Sequence, residues 1–600
     1  MIKEKIKKYK TLFLIVISIF VTCSLNINLD YNISIGKSFS GNSIVLVLFF
    51  IMIYWLLKKF IEIKNKRLII CCVILAVIFA SFEVVGKSIN TYLSLEGILA
   101  NRTALLKSLV YWLGYVILLL SILENIFIVL ENKKFLNKDW TWFANNKKSF
   151  FVVWIIIFVS WVPYFLNYYP GITTADSANQ IYQSLGLSNL VNHHPLFHTF
   201  LIGIGMNIGK LIGDYNFGIA VYSLCQMLVS SAIFSFAIYY MAKRKVDIRV
   251  RMLTLVFYAF YPVNGLYSIT MWKDIPFAIA MLIFTIMLTE ITIDRKRFLE
   301  SKFKNVLFVI SMILVILFRK NGLYVVILTI PFLFIFAYKY YSKLIVISCI
   351  IITVYIVWKG PIFSILNVEE GSIREALSIP LQQFARMSKN DNLTEEEKNE
   401  IYKFVPVENL GNLYVPTLSD NVKKNFNDET FKNDKIGFIK LWVKMCLKYP
   451  RTALEAFLCN SYGYWYPEFH NWVVARSSYV RESENEPDLK LKTSPILNLD
   501  IVEKYDSLID RRGLPLNSML YSIGFVFWIV IILMMYAIYK KEYRVILIYI
   551  PIIILWLTCL ASPVAGEFRY IYSMFTCLPI LIGVHFRQDN LNQLKNQIKS

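Results

Sequence analysis

Long apolar stretches separated by short polar connections fill most of the chain. A helix needs roughly 20 apolar residues to cross about 30 Å of hydrocarbon. Segments of that kind lie at 11–28, 43–58, 68–86, 106–130, 150–168, 217–241, 250–267, 273–293, 304–318, 322–338, 343–359, 517–538, 544–561 and 569–586. The pattern predicts an all-α polytopic membrane protein with about 14 transmembrane helices. A further apolar piece, 196–213, is set apart by charge. Counting it as a span would carry Lys243, Arg244, Lys245, Arg249, Arg251 and every later basic connection outside, against the cytoplasmic bias of Lys and Arg. It therefore reads as a juxtamembrane or re-entrant helix at the outer surface.

With that choice, Lys58-Lys59, Lys133-Lys134, Lys147-Lys148, Lys243-Arg244-Lys245 and the runs 294–297, 339–343 and 540–544 face the cytoplasm, as do both termini. The chain then divides into a four-helix membrane bundle (1–149), a seven-span module (150–359) whose first outer loop is 170–214, an extracytoplasmic segment (360–516) long enough for a small helical domain, and three closing spans (517–600). In the extracytoplasmic segment, Thr394 and Glu397 form a capping box. The aromatic run Tyr462, Tyr464, Trp465, Tyr466 either packs on the membrane or stacks on a ligand.

Composition agrees with a bilayer as solvent: 57% of residues are hydrophobic, 16% aromatic, and the mean hydropathy is +0.53. A net charge of +22 invites a nucleic-acid reading, but the cations sit in short runs between apolar segments, so no nucleic-acid partner is expected. Of nine cysteines only Cys446 and Cys459 lie in a polar region, and neither a disulfide framework nor a CxxC metal site is legible. The first apolar run follows Lys3, Lys5, Lys7, Lys8 and Lys10 and reads as a retained anchor rather than a cleaved signal.

Candidate chemistry gathers at the expected outer ends. In the first loop Pro170-Gly171 makes a turn, Thr174 or Asp176 can cap the next helix, and Gln180 follows on it. His193, His194 and His198 come close behind, and Pro195 suits a first helical turn, which would put His194 and His198 on one side. That pair could ligate a metal, hydrogen-bond a phosphate, or simply satisfy each other. There is no HExxH, so a zinc-peptidase motif is excluded. Lys273-Asp274 opens a later span, where a carboxylate needs water, a partner or a function. Arg319-Lys320-Asn321-Gly322 and Glu567-Phe568-Arg569-Tyr570 place cations on the disfavoured side, where a guanidinium can hold an anionic phosphate.

These elements (Asp176 in a long first loop, His194-Pro195-Leu196, Asp274 in a later loop, a large outer segment before the last spans) resemble the GT-C superfamily of membrane glycosyltransferases, which includes the protein O-mannosyltransferases and the lipid A aminoarabinose transferases. They are closest to an uncharacterised family of bacterial multi-spanning proteins, over roughly residues 150–586. Where relatives carry an acidic pair and HPP or KPP, this chain has TADS and HHP, and the first four spans have no counterpart in a seven-span module. The resemblance implies inverting transfer of a sugar from a polyprenyl-phosphate donor to an acceptor hydroxyl in the cell envelope, outside the membrane. It implies Asp176 as general base and Asp274 as a second catalytic acid positioning the donor sugar or a water. His193, His194, Arg319, Lys320 and Arg569 would bind the donor phosphate, and Gln180, His198, Lys273, Gln382, Gln383, Arg386, Glu567 and Tyr570 would contact substrate. No cofactor is specified, and a divalent metal between Asp176 and His194 stays open. The rival reading is a transporter, flippase or polymerase of lipid-linked saccharides.

Overall fold

The computed structural model describes residues 2–33, 43–60, 65–132, 147–476, 489–511 and 514–587. Lys133-Lys134 and the last residues of the chain lie outside them. Among the described residues the protein is helical, with isolated β-bridges and no strand. Six helices among the described residues are long and apolar enough to cross a membrane: Lys66–Tyr92, Arg102–Glu131, Lys147–Asn167, Tyr215–Lys243, Asp274–Ile293 and Tyr338–Ile365. Shorter apolar helices include Tyr9–Leu25, Leu196–Ile212, Lys320–Phe336, Ile523–Tyr539 and Ile550–Ala561. The helix Asp274–Ile293 is the central one, buried along almost its whole length from Asp274 to Ile291.

The segment expected as one span at 250–267 is instead two helices, Ile248–Phe260 and Pro262–Ser268. The first, at 13 residues, rises only roughly 20 Å. Pro262 is the cause, because it has no N–H for the carbonyl of Tyr258. That carbonyl is taken over by Trp161 Nε1 at 3.2 Å and Asn264 Nδ2 at 3.3 Å, and Tyr572 Oη holds Asn264 by donating to its Oδ1 at 2.7 Å. The break is therefore fully satisfied inside the bundle, and it brings the chain back toward Asp274.

The helix Leu196–Ile212 lies along the beginning of Tyr215–Lys243 only: His198 meets Tyr222, and a Cβ on Gly205 would stand 2.7 Å from the carbonyl of Gly218. The other end of the bundle is marked by Glu290, which pairs with Arg244 and, at 2.9 Å, with Lys304. Asp274 and Glu290 bound the same helix, so about 24 Å separate the two ends.

Close backbone approaches shape the site end. Gly322 is one: a Cβ there would fall 1.9 Å from the carbonyl oxygen of Val315. The helices Lys302–Phe318 and Lys320–Phe336 can fold back on each other at Arg319 only because residue 322 has no side chain. We expect Gly322→Ala to cost about 1–3 kcal/mol or more and to displace Arg319, read as a lowered unfolding midpoint in nanodiscs. An unchanged midpoint would show that the turn relaxes freely.

The segment 360–516 splits in two. Residues from Leu381 to Ala453 enclose their own apolar cluster around Phe384, Phe404 and Phe438, and Thr394 accepts from Glu397 N–H while Glu397 Oε2 accepts from Thr394 N–H, completing the expected box. The aromatic run at 462–466 packs: Tyr462, Tyr464, Trp465 and Tyr466 are buried in the main core, with Trp528 and Trp556 donating to the carbonyls of Trp465 and Tyr464. Cys446 and Cys459 are separate free thiols.

Candidate functional site

Three backbone junctions assemble the site. Gly171 (φ 136°) lets the chain turn beneath Ser223, and Ile172 pairs with Thr270 through Ile172 N–H to the Ile269 carbonyl and Met271 N–H to the Ile172 carbonyl, both 2.9 Å. Gln226 Nε2 fastens that turn by donating to the carbonyls of Tyr267, Ser268 and Thr270 at 2.9–3.0 Å. The Arg319 turn is the second junction. In the third, Trp472 bridges to Glu567, and buried Asn471 donates to the carbonyls of Gly463 (3.1 Å) and Gly566 (2.9 Å). Gly566 has φ 66°, and a Cβ there would lie 2.0 Å from the Phe469 ring.

Thr174, not Asp176, caps the helix Ala175–Ser184, with Ser177 Oγ accepting from Thr174 N–H at 2.6 Å and Trp272 Nε1 donating to Thr174 Oγ1 at 2.7 Å. The Asp176 carboxylate is thus released from capping. Its Oδ2 receives Arg569 at 2.9 Å and Lys273 at 3.3 Å. Asp274, 0% exposed, faces Arg319 at 3.1 Å and Arg569 at 4.0 Å. Neither Asp274 oxygen gains a well-angled hydrogen bond among the described residues, so charge alone partners it. Arg569 also donates Nε to Glu567 Oε1 at 2.9 Å and lies over the Trp272 ring, while Arg319 donates to the Tyr570 carbonyl at 3.0 Å and covers the Tyr570 ring. One guanidinium therefore joins Asp176, Asp274 and Glu567.

The two partly accessible acids have opposite environments. Burial opposes ionisation of Asp176, but Lys273 and Arg569 outweigh it and hold its carboxyl well below the usual range. Burial dominates at Glu567, where Asp274 adds to it and Arg569 only partly compensates, pushing the carboxyl up to about 7. His194 accepts from, or shares a proton with, Lys273 at 2.9 Å across Nδ1, and burial together with that ammonium lowers it to about 2, so it is neutral. His193 is exposed, edge-on to His194, and shifted down by burial and Lys273.

Other expected residues fall elsewhere. Pro195 is the cap and not the first helical residue, so His194 lies outside the helix and does not share a side with His198. His198 is buried between Gln180 (2.9 Å) and Tyr222 (2.8 Å), and Gln180 also donates to Thr199, which makes the pair a tie between helices. Gln382 donates to the Val415 carbonyl, and Gln383 is held between Ala453 and Trp442. Arg386 pairs with Glu455 at 2.6 Å and donates to the Leu93 carbonyl. None of these three reaches the Asp176 cluster. Lys320 is exposed beside Arg319 at the start of its helix. A metal does not suit the donor set: the Lys273 ammonium stands between Asp176 and His194, and no group of three His, Cys, Asp or Glu able to hold a metal occurs among the described residues. Gln226, Asn471 and Trp472 were not signalled by the sequence. Trp472, half exposed and edge-on to Trp272, offers an aromatic face beside Glu567.

The arrangement is a partly exposed cluster of charge at one end of a helical bundle, with acids and cations contributed by four distant stretches of chain. The chain belongs to a family of unknown function, DUF6020, whose model matches residues 186–599 and so takes in Asp274, Arg319, Glu567 and Arg569 but not Asp176. No curated protein and no solved structure matches it.

Proposed function

We propose that this protein is a membrane glycosyltransferase of GT-C type that moves a sugar from a polyprenyl-phosphate donor to an acceptor hydroxyl of a cell-envelope polymer, lipid or protein. About 14 spans with cytoplasmic termini would put the pocket on the extracytoplasmic face. The position of Leu196–Ile212 beside only the first turns of Tyr215–Lys243 supports that arrangement, since it need not cross.

The observation that carries the reading is the charge balance of the cluster. Lys273, Arg319 and Arg569 oppose Asp176 and Asp274, so three cations against two carboxylates leave one net positive charge while the third acid, Glu567, pushed up to about 7, keeps its proton. A phosphate headgroup supplies the missing anion. As the anomeric C–O bond breaks, negative charge accumulates on the departing lipid phosphate, and cations already fixed in place stabilise it without reorganising. Neutral His194 orients Lys273 for this task. The isoprenoid tail stays in lipid, past the aromatic group of Phe197, Phe318 and Trp358. A carboxylate at the site takes the acceptor proton; the family resemblance assigns that step to Asp176.

Membranes containing wild type or Asp176→Asn, supplied with a mixture of labelled polyprenyl-phosphate sugars, test the reading. We expect wild-type incorporation into membrane acceptors and a loss of about 100-fold or more in the folded variant. Incorporation by neither protein above empty membranes would refute glycosyl transfer and favour transport.

A further inference from the structure

We propose that Glu567, and not Asp176, is the group that removes the proton from the acceptor hydroxyl, an inference that rests on the transfer reading above. Geometry comes first. Asp176 Oδ2 is held by two cations, Lys273 and Arg569, whereas Glu567 meets one, Arg569 Nε at Oε1, and its Oε2 has no hydrogen-bond partner among the described residues. The Glu567 side chain is 14% exposed, so it is enclosed yet reachable. Its backbone is bridged to Trp472, whose half-exposed ring offers an apolar platform on the neighbouring stretch of chain. A pyranose or other ring-bearing acceptor lying on Trp472 brings a hydroxyl to Glu567, while the donor phosphate occupies the Lys273, Arg319 and Arg569 side.

The chemistry agrees with this division. A base is most effective when its pKa lies near the working pH, and paired acids pushed apart by their surroundings take different roles. The carboxyl at about 7 is Glu567; the strongly acidic one, Asp176, organises Lys273 and Arg569. The groups facing Glu567 are Arg569 and Tyr570 from its own turn, Asp176 from Ala175–Ser184, Asp274 from Asp274–Ile293, Tyr267 from Pro262–Ser268 and Tyr464 from the aromatic run. In the step, the acceptor O–H proton passes to Glu567 Oε2 and the acceptor oxygen bonds to the anomeric carbon. The bond from that carbon to the phosphate oxygen breaks with its electron pair on the leaving polyprenyl phosphate. Glu567 then returns the proton to water.

The test uses the full chain in nanodiscs and two readouts. Infrared titration needs no substrate: the difference between wild type and Glu567→Gln, in which the other buried carboxyls, Glu83 and Glu124, cancel, should show a protonated-carboxyl band that vanishes as pH rises through about 7. With labelled polyprenyl-phosphate sugars, wild-type transfer should rise through the same pH and level off. Glu567→Gln should lose about 100-fold or more in kcat with unchanged polyprenyl-phosphate binding, and Glu567→Asp should recover part. Asp176→Asn should keep a pH limb, shifted to lower pH because a negative neighbour is gone. A difference spectrum with no such band, or full transfer by the Glu567→Gln variant, overturns the assignment. Absence of wild-type transfer with the band present at Glu567 overturns the transfer reading instead.

Discussion

Arg569→Met is expected to lower sugar transfer by about 10³-fold, more than any other single replacement at the site. Arg569 is the one side chain that touches Asp176 and Glu567 directly and stands within 4.0 Å of Asp274. Without it three acids face only Lys273 and Arg319. The like charges then raise the proton affinity of Asp176, and the leaving phosphate loses its central donor. Arg569→Lys keeps the charge but is a single point that cannot reach Asp176 and Glu567 at once, so only partial recovery is expected. Transfer rates and unfolding midpoints measured in the same nanodiscs separate this from misfolding. Full recovery by lysine would show that charge alone matters and that the fork is dispensable.

The second large effect is on stability. Asp274 and Arg319 are 0% and 8% exposed at their side chains, and burying a charge without its partner is costly. Asp274→Ala leaves Arg319 uncompensated except by the Tyr570 carbonyl and the rings around it, and a cost of about 3–5 kcal/mol is expected. Removing both charges in Asp274→Ala/Arg319→Met should restore most of that loss without restoring transfer. Unfolding free energies of the three variants and wild type, from denaturation in detergent, close the cycle. Additive losses would mean that the two groups do not sense each other and that the pair is not a unit.

Much of the architecture was legible because its causes are local. Apolar run length marks helices whatever they pack against, and every expected span has a helix in it. The exception at 250–267 arose from a proline whose lost hydrogen bond is repaired by residues far along the chain, Trp161 and Tyr572, which no window reveals. The site was partly legible for a different reason. Cations where the charge rule disfavours them, Arg319 and Arg569, and acids at apolar helix mouths, Asp176 and Asp274, stand out against their surroundings, and these four meet. What separates Asp176 from Glu567 was invisible, because it depends on how many cations each carboxylate meets. The histidines were read too generously: spacing alone cannot say that His198 turns inward to Gln180 while His194 stops short of the helix. Gln382, Gln383 and Arg386 likewise carry polar groups that serve their own small core.

The order in which the parts are made has a consequence of its own. Asp176, Asp274 and Arg319 leave the ribosome early, whereas Glu567 and Arg569 follow two hundred and more residues later, and the contact from Arg569 back to Asp176 spans 393 positions. Through most of synthesis Asp176 has only Lys273 to answer it, and the third junction, Asn471 clasping Gly463 and Gly566, cannot close. On the transfer reading, a growing chain thus holds an unfinished, inert cluster until the segment with Glu567 and Arg569 arrives, and handling of a lipid-linked donor is deferred until then.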